Sequence, residues 1–183
     1  MEIIEKYLTK NPFSRPGTQL RGVKGIVIHW VENPMTTAEF NRNYFEGLKN
    51  QGQTAGAKFG SAHFIIGLQG EVIQCLLENE VGYHVGADKY KEKAVAELST
   101  YPNNCTLGIE LCHLNWDGEF TSQTLQSCKE LILELCERYS LGRNNVYRHF
   151  DITGKGCPRY FLDENLWEQF LNYVFSKEGG SNE

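Results

Sequence analysis

One short run constrains the fold more than any other part of the chain: Gly25-Ile26-Val27-Ile28-His29-Trp30-Val31. It is continuously apolar around a single histidine and rich in β-branched residues, as expected of a strand buried within a sheet. Further strands are expected at Ser61–Leu68, at Glu71–Leu77 after a turn at Gln69-Gly70, and at Thr106–Leu114 before a turn at Asn115–Gly118. Thr36-Thr37-Ala38-Glu39 has the spacing of a capping box and predicts a helix to about Lys49. Leu125, Cys128, Leu131, Ile132, Leu135 and Tyr139 form an apolar stripe at helical spacing within Thr121–Leu141. A short helix fits Lys89–Leu98, and a last one fits Glu164–Lys177 with Asp163 as its N-cap.

Asn11–Arg21 holds both early prolines and reads as an extended lead-in, whereas the glycine-rich Gln51–Gly60 reads as a loop. Strands and helices therefore alternate, and the expected class is α/β: a central mixed β-sheet flanked by α-helices. A chain of 183 residues suits one domain, placed at residues 1–177 with a linker-like tail at 178–183.

Composition excludes several classes of function. The formal charge is 18 − 23 = −5, with no block of Lys or Arg, which argues against non-specific binding to nucleic acid or to a membrane surface. No apolar stretch approaches the roughly 20 residues of a membrane span. The start, Met1-Glu2-Ile3-Ile4-Glu5-Lys6, lacks the apolar core of a signal peptide, so synthesis in a cytoplasm is expected. Six cysteines in such a compartment are expected to be unpaired, and Cys128 and Cys136 fall among leucines as small buried hydrophobes.

The chemistry concentrates in Arg148-His149-Phe150-Asp151-Ile152-Thr153-Gly154-Lys155-Gly156-Cys157-Pro158. With His29, this segment offers two imidazoles and one thiol, a set that suits zinc and leaves a fourth position open to water. Spacing alone does not decide the matter, because the same residues could be hydrogen-bonded histidines and a buried thiol. Glu110 is an isolated charge inside Thr106-Leu107-Gly108-Ile109-Glu110-Leu111-Cys112. It either points to water from an edge strand or lies in a cleft where burial raises its pKa towards that of a general base.

Together these residues resemble the zinc-dependent N-acetylmuramoyl-L-alanine amidases, the fold shared by phage endolysins, bacterial autolysins and peptidoglycan recognition proteins. The matching pieces occur in family order: the strand ending in His29, Ser61-Ala62-His63-Phe64, Gly82-Tyr83-His84-Val85-Gly86, the Glu110 strand, and His149 through Cys157-Pro158. They span residues 20–162 and are closest to endolysins and autolysins of Gram-positive hosts. The resemblance implies that His29, His149 and Cys157 bind Zn2+, that Glu110 is the catalytic carboxylate, and that Lys155 stabilises the oxyanion. The implied substrate is the amide between N-acetylmuramic acid and L-alanine in bacterial cell-wall peptidoglycan. Some phage members carry a catalytic tyrosine immediately before the second-strand histidine; here that position is Ala62, which leaves proton transfer to Glu110. His84 is expected to line the substrate cleft, His63 to pack as a core histidine or support the site from behind, and His113 to be an ordinary surface residue.

Two rivals share the resemblance: a non-catalytic peptidoglycan-binding module, and an amidase acting on soluble muropeptides. A negatively charged domain gains nothing from the anionic polymers of Gram-positive walls, so docking through a separate wall-binding module is expected. The chain itself is expected to be a monomer that acts on the wall after release.

Overall fold

The Gly25–Val31 run becomes an inner strand of a six-stranded sheet in the computed structural model, which describes residues 1–176. The strands are β1 (Ile3–Glu5), β2 (Gly25–Trp30), β3 (Phe64–Ile66), β4 (Val72–Gln74), β5 (Thr106–Leu111) and β6 (Val146–Arg148). They lie in the order β1-β4-β3-β5-β2-β6. β3 and β4 are antiparallel and every other pair is parallel, so the sheet is mixed as expected. The helices are α1 (Ala38–Gly47), α2 (Glu92–Glu97), α3 (Ser122–Tyr139), α4 (His149–Thr153) and α5 (Glu164–Phe175).

Strand periodicity sorts the side chains between two layers. Ile26, Ile28 and Trp30 of β2 join Leu107, Ile109 and Leu111 of β5 in the main core, with Cys128, Leu131 and Leu135 of α3 and Trp167, Phe170 and Val174 of α5. The opposite face carries smaller clusters. Ile65, Ile73 and Cys112 pack with Ala38 of α1. Val27 and Tyr147 pack with Ala94 of α2 and Ile152 of α4. Between these two clusters the second face carries His29 of β2 beside Glu110 of β5, and there the candidate site residues stand.

Local chemistry explains where the elements begin and end. Thr121 accepts the Thr124 N–H at the start of α3, and Asp163 accepts from Asn165 and Leu166 at the start of α5. The cap of α1 is Thr37, which accepts from Phe40, rather than Thr36. The Thr36 hydroxyl donates to the Asn33 carbonyl instead, and Glu39 pairs with Lys6. The central strands are shorter than the apolar runs that hold them, since Ser61 already bonds Tyr83 rather than a neighbouring strand. Strand β1, not expected from so short and charged a segment, adds an edge beside β4.

All six cysteines are buried and unpaired. Among the described residues, no helix is long and apolar enough to cross a membrane. The tail placed at residues 178–183 lies outside the described residues.

Candidate functional site

The register of β2 against β5 sets His29 beside Glu110. Both alternate with core residues and so face away from α3 and α5. β5 runs between β2 and β3, so Glu110 belongs to an inner strand and not to an edge. On its other side β2 pairs with β6, whose last residue, Arg148, is followed by His149 as the first residue of α4. This short helix ends at Gly154 in the left-handed region (φ +84°), where a side chain is disfavoured. The chain then turns back, and the Phe150 N–H bonds the Cys157 carbonyl at 2.9 Å. His149 and Cys157 thus sit on adjacent strokes of one tight return, not on an open loop.

Arg148 holds that return in place. Its buried guanidinium donates to Asp151 at 2.7 Å, to Glu164 at 2.9 Å and to the Phe161 carbonyl at 2.8 Å. It therefore joins β6, α4 and the start of α5. Arg148→Met keeps the apolar stem and removes these bonds; urea unfolding is expected to show a loss of about 2–3 kcal/mol, the usual range for bonds to a charged group.

The result is a compact donor set. His29 Nδ1 lies 3.1 Å from His149 Nδ1 and 3.6 Å from Cys157 Sγ. All three donor atoms lie within 4.8 Å of one another, and all three residues are buried. Tetrahedral bonds of about 2.05 Å to nitrogen and 2.3 Å to sulfur would separate donors by about 3.35 Å (N to N) and 3.6 Å (N to S). Two edges of the cluster are therefore close to those of a tetrahedral metal site. Electrostatics suit the same use. Burial, with the neighbouring His149 and His84, holds His29 well below the ordinary imidazole range. Burial and the Lys155 charge bring His149 down to about 4. Both rings are thus neutral and carry lone pairs. Burial pushes the Cys157 thiol up, with the Glu110 charge adding to it and the Trp30 N–H opposing.

Glu110 stands at the cleft floor. Its side chain is only part-exposed, and Oε2 is enclosed without a hydrogen-bond partner. Burial pushes its carboxyl up to about 8, with Lys155 opposing and Glu32 adding. The exposed Lys155 ammonium lies 3.5 Å from Glu32 on the cleft rim. Glu32 itself has a left-handed backbone (φ +53°), uncommon for a residue with a side chain and costing about 1–3 kcal/mol.

Two lobes open on either side of this centre. One, of about 780 Å³, is lined by Tyr83, Tyr101, His149 and Lys155. The other, of about 450 Å³, is lined by Glu110, Glu32, Phe40 and Tyr44. Phe59, Tyr83, His84 and Lys155 border both. Phe40, Tyr44 and Phe59 are exposed at the border of the second lobe. None of these aromatic residues was singled out from the sequence. Phe40 and Tyr44, four apart on α1, carried the only signal: an apolar pair on one helix face.

The remaining histidines are all buried. His84 borders both lobes, and both its ring nitrogens are engaged: Nδ1 meets His29 Nε2 at 3.0 Å, and Nε2 meets Thr106. His63 does not touch the donor set. Its Nε2 meets the Glu80 carbonyl, its Nδ1 accepts from Gly108, and its ring centre is 5.8 Å from that of His84. His113, expected at the surface, is fully buried. Its Nδ1 meets the Asn115 carbonyl, its Nε2 accepts from Asn33, and its ring lies 4.6 Å from that of Trp30. β5 ends at Leu111, and the loops beyond it fold over His113, which strand alternation could not foretell.

Known proteins resemble this chain in sequence and in fold. A probable N-acetylmuramoyl-L-alanine amidase of Bacillus licheniformis is 34% identical over 158 residues, covering 86% of this chain and 42% of that protein. The N-acetylmuramoyl-L-alanine amidase CwlL, from the same organism, is 33% identical, covering 90% and 44%. The chain thus spans less than half the length of these relatives. Among solved structures, a mutant endolysin from Bacillus subtilis superposes with a TM-score of 0.71 at 26% identity, covering 95% of this chain and 99% of that one. The profile of the N-acetylmuramoyl-L-alanine amidases matches residues 19–160, from before β2 to beyond the Cys157 return. By sequence and by fold, the chain belongs to the N-acetylmuramoyl-L-alanine amidase family.

Proposed function

We propose that this chain is a zinc-dependent amidase that cleaves the bond between the lactyl group of N-acetylmuramic acid and L-alanine in bacterial peptidoglycan. The observation that carries this reading is the convergence of His29, His149 and Cys157 beside an enclosed, unpartnered Glu110, in a cleft of a chain that belongs to this family. Two neutral imidazoles and a thiol suit zinc and leave room for a further ligand. A zinc ion held there would supply Lewis acidity towards the scissile carbonyl and lower the pKa of a nearby water.

The chain's own residues do the rest. Ionised Glu110 accepts one proton of the attacking water as the new C–O bond forms. It then passes that proton to the amide nitrogen as the C–N bond breaks, freeing the amine of alanine and leaving a carboxylic acid on the lactyl group, whose proton passes to the amine or to solvent. Lys155, on the rim shared by both lobes, places its charge where negative charge develops on the carbonyl oxygen. The two lobes suit a substrate with a sugar on one side of the bond and a peptide on the other.

A non-catalytic binding module would need neither an enclosed carboxylate nor Lys155, and their presence favours the enzyme. The test is digestion of purified cell wall with product analysis by mass spectrometry. New amino-terminal alanine without new reducing sugars is expected; cleavage of soluble muropeptides alone would move the substrate away from the intact wall. With a charge of −5 and no long-range attraction to anionic wall polymers, the domain acts as a monomer after release and docks through a separate wall-binding module.

A further inference from the structure

We propose that His84 is a positioning residue: backed by Thr106 and Pro102, it sets the tautomer of His29 so that Nδ1 presents its lone pair to the donor cluster. The inference extends the metal reading above, but it rests on hydrogen bonds that exist without a metal.

The direction of the chain follows from its fixed end. Backbone carbonyls can only accept. The Thr106 hydroxyl donates to the Pro102 carbonyl at 2.8 Å. It therefore accepts from His84 Nε2, 3.2 Å away, and the same ring nitrogen faces the Thr106 carbonyl at 3.4 Å. Both partners demand a proton on His84 Nε2. A neutral imidazole then has none on Nδ1, which must accept. Its partner at 3.0 Å is His29 Nε2, which must carry the proton. The lone pair of His29 is left on Nδ1, the atom 3.1 Å from His149 and 3.6 Å from Cys157.

The surroundings hold His84 in this role. The N–H groups of His84 and Val85 both donate to Asn103 Oδ1, which ties the loop to the segment before β5. The ring lies flat over Gly108, where a Cβ would come within 2.7 Å of His84 Cγ. His84 is buried, and its ring nitrogens meet an imidazole, a hydroxyl and a carbonyl rather than a carboxylate, so nothing there compensates a charge and the ring is neutral. An imidazole whose far nitrogen is bonded in this way is oriented and made more basic towards a metal, and losing such a partner costs about 10–100-fold in affinity.

Two measurements test the proposal. Nitrogen-15 shifts of the imidazoles in the wild-type protein, metal-free and with zinc added, are expected to show His84 protonated on Nε2 alone and His29 protonated on Nε2. A proton on His84 Nδ1 would overturn the assignment. In a zinc-binding titration, His84→Phe is expected to weaken affinity about 10–100-fold. His84→Asn, whose Oδ1 can occupy the accepting position of Nδ1, is expected to stay within about threefold of the wild type. A Phe variant that binds zinc as tightly as the wild type would overturn the proposal, whereas a wild type that takes up no zinc would overturn the metal reading and leave the ring shifts to judge the tautomer.

Discussion

Replacing Glu110 by Gln is expected to slow amide hydrolysis by about 10²–10⁴-fold while zinc remains bound. Gln keeps the shape of the side chain but can neither take the proton of the attacking water nor return one to the leaving amine. The same change has the opposite effect on the metal-free fold. The carboxyl rises from an ordinary value of 4.5 to about 8 because burial disfavours its charge. The folded state therefore holds a proton between these values that the unfolded state has lost. The cost of the charge is absent below pH 4.5, grows through the interval and is complete above pH 8. Metal-free Glu110→Gln is accordingly expected to exceed the metal-free wild type by roughly 2–4 kcal/mol at pH 9, and to match it near pH 4. Urea unfolding in a chelator at the two pH values measures this difference. Equal stability at pH 9 would mean that the carboxylate is not held against its charge.

Removing zinc is expected to reduce turnover by at least about 10³-fold, since neither Glu110 nor Lys155 supplies the Lewis acid. It would also remove an ion that His29 of β2 and His149 and Cys157 of the return after β6 would hold between them. At zinc concentrations near 1,000 times the dissociation constant, binding stabilises the fold by about 4 kcal/mol, which a thermal scan with and without chelator reads directly. The buried Cys157 thiol is raised above its ordinary range, so it is protonated at pH 7 and must lose that proton to bind. Zinc uptake is expected to release at least one proton per site, and up to a second as the cation draws Glu110 to its charged form. Calorimetry in two buffers of different ionisation enthalpy measures the number. Release of none would contradict a thiolate ligand.

The candidate residues stood out in the sequence because they break local patterns, but only the resemblance to a family joined them into one site. His29 interrupts a buried run, Glu110 interrupts an apolar strand, and glycines flank Lys155. Each is costly unless something specific compensates it, and such residues stand out in a single chain. The sheet was legible for the same reason: alternating and continuous apolar runs have few other uses. What escaped depends on partners distant in sequence. His113 is buried because the loop before α1 and the turn after β5 close over it. The hydrogen bond between His84 and His29 needs the open face of Gly108, a position whose role appears only when the 82–86 loop is laid across β5. Strand β1 gains its place from pairing with β4, and nothing within Ile3-Ile4-Glu5 signals that edge.

The most direct test is a zinc titration of the metal-free protein, with release of amino-terminal alanine from purified wall as the readout. Activity is expected to rise linearly to one zinc per chain and stay level beyond it, with no rise in Cys157→Ala. Full activity in the metal-free protein would contradict a zinc centre at His29, His149 and Cys157.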